Sequence, residues 1–178
     1  MTSEPEKTIR IGVLSDTHGH LDNRVFERFE GVDAILHAGD VGRREILIDL
    51  GAWAPTYAIL GNVDQGGDCW NLPLQETVRF GGVRIYMNHG HLQSCPSRRI
   101  QRILEASRKI GPDVVIVGHS HRPYLGDHEG VIFLNPGSAS RPRFGFPPSV
   151  ALITVNEGNP EIGILDLDGN PVTPDKQI

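Results

Sequence analysis

Five short clusters of nitrogen and oxygen donors recur along this chain: Asp16-Thr17-His18-Gly19, Gly39-Asp40, Gly61-Asn62, His89-Gly90-His91 and Gly118-His119-Ser120-His121. Carboxylate, imidazole and amide oxygen donors without a thiolate suit a divalent transition metal, and they select none in particular. Asp16 and His18 are two residues apart, as are His119 and His121, and alternate residues of an extended segment point the same way. Each pair can therefore reach one ion, and Gly19 and Gly118 leave room for close backbone approach. Asp16, His18, Asp40, Asn62, His89, His119 and His121 are too many ligands for one tetrahedral ion. They suit two ions at ~3.5–4 Å, with Asp40 able to give one oxygen to each. Two carboxylates neutralise only part of that charge, so an anionic substrate is expected, with phosphate esters the obvious class. A shared hydroxide would attack phosphorus in line with the leaving group.

Each cluster follows an apolar run that reads as a strand. Ile9–Leu14, Asp33–His37 and Pro55–Leu60 alternate with helical patterns over Asp22–Glu30 and Arg43–Leu50, the second stopped by Gly51. That βαβαβ order predicts a parallel sheet. Glu76–Phe80 and Val83–Met87 flank Gly81-Gly82 and read as a hairpin. Arg98–Ile110 carries Ile100, Ile103, Leu104 and Ile110 on one helical face and stops at Gly111-Pro112; Val114–Val117 is a buried strand. Four more strands follow, at Pro123–Asp127, Val131–Leu134, Val150–Val155 and Glu161–Leu165, and Pro171–Ile178 reads as a polar tail. Two packed sheets with helices outside are expected.

The 178 residues fit one domain, and the net charge of -5 argues against a nucleic-acid binder. Basic patches are local: Arg98-Arg99 with Arg102, and Arg141 with Arg143. Cys69 and Cys95 form no Cys-x-x-Cys pair, so neither a disulfide framework nor metal–thiolate chemistry is expected. Met1–Lys7 lacks a signal-peptide core, and no run approaches the ~18 apolar residues of a membrane span. A soluble cytoplasmic protein is expected.

The ordered blocks Asp-x-His, Gly-Asp, Gly-Asn, His-Gly-His and Gly-His-x-His resemble the calcineurin-like metallophosphoesterase superfamily. Ser15-Asp16-Thr17-His18-Gly19 and Leu134-Asn135-Pro136-Gly137-Ser138 are similar to its small YfcE-type phosphodiesterase branch. The resemblance implies an α/β fold, a four-layer αββα sandwich of two mixed sheets flanked by helices. It implies a metallophosphoesterase domain over 9–167, with 1–8 and 168–178 as polar termini. It also implies Asp16, His18 and His121 around one metal, Asn62, His89 and His119 around the other, and Asp40 bridging. Manganese comes first as cofactor, with iron, nickel or zinc as alternatives, and homo-oligomers occur in the family.

One position departs from the superfamily pattern. Many of its phosphatases carry Gly-Asn-His-Glu/Asp, whose histidine helps protonate the leaving group, whereas this chain has Gly61-Asn62-Val63-Asp64. Without that acid, esters with good leaving groups should react best. His91 is the first substitute as general acid and His20 the second. Asp64 is expected to orient a histidine or cap the following loop, and Ser15 and Thr17 to bond locally rather than act as nucleophiles. The leading expectation is thus a dinuclear phosphodiesterase for small phosphate esters. The alternatives are a phosphomonoesterase and a non-catalytic protein-interaction scaffold of the same fold, as in the retromer subunit.

Overall fold

The structure, a computed structural model, describes residues 8–93 and 98–176. Cys95 and the residues 1–7 therefore lie outside the described residues, as do 177 and 178. The strands are β1 (Ile9–Leu14), β2 (Ala34–His37), β3 (Thr56–Ala58), β4 (Gln75–Phe80), β5 (Val83–Asn88), β6 (Val114–Ile116), β7 (Pro123–His128), β8 (Val131–Pro136), β9 (Ser149–Asn156) and β10 (Asn159–Asp166). The helices are α1 (Arg24–Arg28), α2 (Arg44–Trp53) and α3 (Arg99–Ser107), with one 3-10 turn at Val63–Gly66.

Among the described residues, ten strands form two five-stranded mixed sheets, ordered β10-β9-β1-β2-β3 and β4-β5-β6-β8-β7. In the first sheet β1, β2 and β3 run parallel, as the βαβαβ pattern requires, and β9 and β10 add antiparallel strands at one edge. In the second, β5, β6 and β8 are parallel and β4 and β7 are antiparallel edges.

Alternation along each strand assigns its two faces. Ile11 and Val13 of β1 meet Ile85, Met87, Val114 and Ile116 in the core between the sheets. Leu14 and Ile35 turn the other way, against Val25, Phe29, Ile46 and Leu50 of α1, α2 and their flanks. On the second sheet Val115 and Phe133 turn outward against Ile103 and Leu104 of α3. The result is the expected αββα layering. Among the described residues no helix is long and apolar enough to cross a membrane.

Several boundaries differ from the sequence expectation, each for a local reason. The first helix spans only Arg24–Arg28, because the Asp22 carboxylate accepts the Arg24 N–H at 2.9 Å and starts the turn there. β3 ends at Ala58, since Leu60 N–H leaves the ladder for the Pro73 carbonyl at 2.7 Å. α3 spans only Arg99–Ser107; beyond it, Ser107 O takes the Ile110 and Gly111 N–H groups. Both hairpin glycines have positive φ, 53° at Gly81 and 87° at Gly82, as a tight β4–β5 turn demands. Beyond β10, Val172 N–H bonds Ile164 O, and Arg122 pairs with Asp175 at 2.7 Å, tying the segment after 168 to both sheets.

Gly51 does not stop α2, which runs on to Trp53. The terminator is Pro55, which disfavours a helical residue before it. A Cβ on Gly51 would meet nothing within 4 Å. Gly51→Ala is therefore expected to raise stability by about 0.5–1 kcal/mol, through helix propensity and a less flexible unfolded chain. The urea-unfolding midpoint of the variant checks this.

Candidate metal centre

All five donor clusters lie just past the C-terminal ends of parallel strands: β1, β2 and β3 from one sheet, β5 and β6 from the other. Strand ends of an open α/β sheet are where ligands bind, and here two such edges face each other. Asp16, His18, Asp40 and His121 converge so that one ligand atom from each lies within 4.8 Å of all the others.

The backbone at these residues is strained. Asp16 (φ 55°), His18 (47°), Asp40 (54°), His119 (67°) and His121 (58°) all adopt the left-handed conformation. At about 1 kcal/mol each, the cost is on the order of 5 kcal/mol, comparable to the whole net stability of a small domain. Such strain persists where the surroundings impose it, and it clusters at functional sites.

Hydrogen bonds decide which ring nitrogens face inward. His121 Nδ1–H donates to the Arg141 carbonyl at 2.5 Å, and His89 Nδ1–H donates to the Ala38 carbonyl at 2.6 Å. A carbonyl can only accept, so the Nε2 lone pair of each neutral ring points into the centre. There His121 Nε2 lies 3.2 Å from Asp16 Oδ1, and His89 Nε2 lies 3.4 Å from Asp40 Oδ1. His18 Nε2 adds a third nitrogen, 3.1 Å from His121 Nε2 and 3.7 Å from Asp40 Oδ2. Asp16 Oδ1 and His89 Nε2 are buried without a hydrogen-bond partner. Unpaired acceptors facing one another in a buried site repel unless a cation lies between them. The residues fit a metal.

The carboxylates are also shaped for it. Asp16 Oδ2 is occupied by the Ser15 hydroxyl at 2.7 Å and the His119 N–H at 3.1 Å, which leaves Oδ1 facing inward. Asp40 turns one oxygen to His89 and the other to His18. Burial pushes both carboxyls up. For Asp16 the facing His121 nitrogen and the His89 charge outweigh it; for Asp40 the facing His89 nitrogen and charge do, holding it at about 2. Both are anions at neutral pH. Burial pushes His89 down, but Asp40 and Asp16 raise it above the ordinary range, so the carboxylates favour a positive charge at this point.

His119 and Asn62 stand on the outer side of this cluster. His119 Nδ1 lies 2.9 Å from Asn62 Oδ1; His119 is half-buried and Asn62 exposed. Burial, with the His89 and Arg99 charges adding to it, pushes His119 down to about 4. His91 packs beside them, its ring 5.4 Å from His89 and 6.4 Å from His119. His20 is exposed.

Supporting residues complete the cradle. Asp64 is buried, and its carboxylate accepts N–H bonds from Gly61 (2.9 Å), Val41 (3.2 Å) and Gly42 (2.8 Å). It binds the Asp40 loop to the Asn62 loop and touches no histidine by hydrogen bond. Asn135 donates to Gly118 O at 3.0 Å, while Ser138 and Ser140 donate to Asp16 O (2.8 Å) and Thr17 O (2.6 Å). This loop thereby braces the ligand turns of both sheets. The Ser15 hydroxyl bonds locally, to the Asp16 carboxylate, whereas the Thr17 hydroxyl does not: it reaches across to the Val41 carbonyl at 3.0 Å. A Cβ on Gly118 would lie 2.2 Å from Ser15 Oγ and 2.9 Å from Asp16 Oδ2, so only glycine fits.

A family model described as the calcineurin-like phosphoesterase superfamily domain matches residues 9–158. The chain belongs to that superfamily. It is 38% identical over 142 residues to Probable metallophosphoesterase MJ0623 of Methanocaldococcus jannaschii, covering 76% of this chain and 71% of that one. It is 30% identical to Phosphodiesterase MJ0936 of the same organism, covering 90% and 94%. Among solved structures, a conserved Streptococcus pneumoniae protein, predicted to be a phosphoesterase, superimposes with a TM-score of 0.74 at 25% identity, covering 93% and 94%. Zinc-complexed Vps29 of Entamoeba histolytica gives 0.71 at 22% identity, covering 89% and 99%, a likeness of fold.

His37 ends β2 beneath the centre. It is fully buried, its Nδ1 accepts the Gly39 N–H at 3.3 Å, and its Nε2 meets Thr17 Oγ1 at 2.9 Å. Burial lowers it from an ordinary 6.5 to about 4, and a proton on Nδ1 would collide with the Gly39 N–H. Its folded-state value is depressed, so its contribution is intact above pH 6.5 and is lost as pH falls towards 4. That loss amounts to about 3 kcal/mol. Urea unfolding of the wild type and His37→Gln should show a stability gap at pH 7.5 that narrows by pH 4.5; a constant gap contradicts a neutral His37.

Proposed function

We propose that this family member is a dinuclear metal-dependent phosphodiesterase for small phosphate esters. The observation that carries the reading is Asp40, whose two oxygens face imidazoles of two separate groups. Asp16, His18 and His121 would hold one ion, Asn62, His89 and His119 the other, with Asp40 between them; manganese is the first metal to supply. Bound there, the two ions would polarise the phosphoryl oxygens and lower the pKa of a water that attacks phosphorus. The Ala38 and Arg141 carbonyls keep the His89 and His121 lone pairs aimed at the ions. Val63 N–H holds Asp40 Oδ1 at 2.9 Å and keeps its carboxylate in register.

The preference for diesters rests on Val63, which is 46% exposed where the superfamily's phosphatases place a proton donor. His91 is the remaining imidazole beside the second group. Burial lowers it, and the His89 charge adds to that, so its ring is mainly neutral at pH 7. Nearby dications push it lower still, which makes it a weak donor. Hydrolysis without a strong acid favours leaving groups that depart as stable anions. The phosphodiesterase name of the M. jannaschii relative agrees with this choice. A non-catalytic scaffold of this fold would have no need of five strained donor residues and two orphaned inward acceptors.

Chelation is expected to abolish hydrolysis of bis(p-nitrophenyl) phosphate, and added manganese to restore it. Asp40→Asn should lose nearly all activity with an unchanged circular dichroism spectrum; full activity in that variant contradicts the dinuclear reading. Val63→His should raise kcat/KM for monoesters with poor leaving groups by about 100-fold while changing p-nitrophenyl diesters far less. A wild-type enzyme that already prefers poor-leaving-group monoesters would contradict the role given to Val63.

A further inference from the structure

Arg99 is the first residue of α3 and is only 7% exposed. Its Nε is shielded from solvent without a hydrogen-bond partner, and no carboxylate pairs with its guanidinium among the described residues. Other arginines are engaged: Arg24 with Asp22 and Asp168, Arg122 with Asp175, and Arg84 with the Ile110 and Gly111 carbonyls. Arg99 lies over Gly90, in the middle of His89-Gly90-His91. A Cβ built there would sit 3.3 Å from Arg99 Cδ and 3.8 Å from Nε. The guanidinium thus lies beside the second group of donors, and its charge is felt at His119.

The helix end carries the wrong sign for itself. The residues opening α3 are Arg98, Arg99 and Arg102, with no acid in the first turn and, among the described residues, no side-chain cap on the N-terminus. A helix N-terminus is already positive, so these cations repel it unless an anion is bound. Packing does not explain the charge. The Arg99 methylenes could cover Gly90 and Ile103 equally well as methionine, without the penalty of an unpaired buried cation.

We propose that Arg99 and the N-terminal turn of α3 form a second anion subsite next to the metal centre, which takes a second phosphate carried by the substrate. This rests on the phosphoesterase reading and deepens it. The preferred esters are those with two phosphate groups, one at the metals and one on Arg99. A guanidinium can meet that phosphate with two parallel hydrogen bonds, which a lysine cannot reproduce.

The test separates this subsite from hydrolysis by using metal-free protein and inorganic pyrophosphate as the probe. Calorimetry should give wild-type binding about 10- to 100-fold tighter than Arg99→Gln, with Arg99→Lys in between and the exposed Arg108→Gln equal to wild type. Without anion, Arg99→Met should melt above the wild type, since it relieves the unpaired charge; pyrophosphate should raise the wild-type melting temperature and leave that of Arg99→Met unchanged. In manganese-loaded enzyme, Arg99→Gln should raise KM for a p-nitrophenyl diester bearing a pendant phosphate far more than for the same diester without it. Equal pyrophosphate affinity in wild type and Arg99→Gln overturns the subsite. So does destabilisation of Arg99→Met that Arg99→Lys repairs, because the residue is then structural. Either result leaves hydrolysis of simple diesters intact as evidence for the phosphoesterase reading.

Discussion

Electron pairs that converge on one buried point and call for a cation there are the constraint around which this molecule is organised. Two backbone carbonyls fix the inward lone pairs of His89 and His121, and the protein aims Asp16 Oδ1 and both Asp40 oxygens into the same buried space. Left alone, this arrangement is repulsive. The protein nevertheless holds five of the donor residues in left-handed backbone conformations to maintain it. Strain and electrostatic repulsion at one point make sense together when a dication occupies that point and offsets both.

The fold supplies the positions. Two sheets face each other with their parallel strand ends on one edge, so turns distant in sequence meet without long loops. What holds the turns in register is polar rather than apolar. Asp64 joins the Asp40 and Asn62 loops through three N–H groups, and Asn135, Ser138 and Ser140 tie the Asp16 and His119 turns together. His37 links Gly39 to Thr17 beneath the site and does so only while neutral. Rigidity of this kind suits a site whose ligands must not relax when charge changes.

The donor types and their places after apolar runs were legible in the sequence, because ligand chemistry belongs to side chains and strand ends carry a period-two signature. The layering was legible too, from βαβαβ followed by strands. Other features leave no such mark. The Ala38 and Arg141 carbonyls that choose the histidine tautomers are backbone groups, so residue identity says nothing about them. The left-handed φ of His18, Asp40 and His121 is imposed by tertiary contacts. The Asp64 clamp and the bracing role of Asn135 and Ser138 depend on loops that meet only in the folded chain. Gly51 misled for a local reason: a glycine in open space leaves a helix intact, and Pro55 supplied the true stop.

Two residues set the limits of the chemistry around this centre: Val63, which withholds a proton donor, and Arg99, which offers a buried cation on the same side as His119. Both matter only if Asp40 joins two ions. Manganese titration of the metal-free protein, followed by electron paramagnetic resonance, addresses that claim directly. The account predicts two manganese ions per chain with an exchange-coupled spectrum, as a shared carboxylate bridge requires. A single ion per chain, or two that show no coupling, would contradict it.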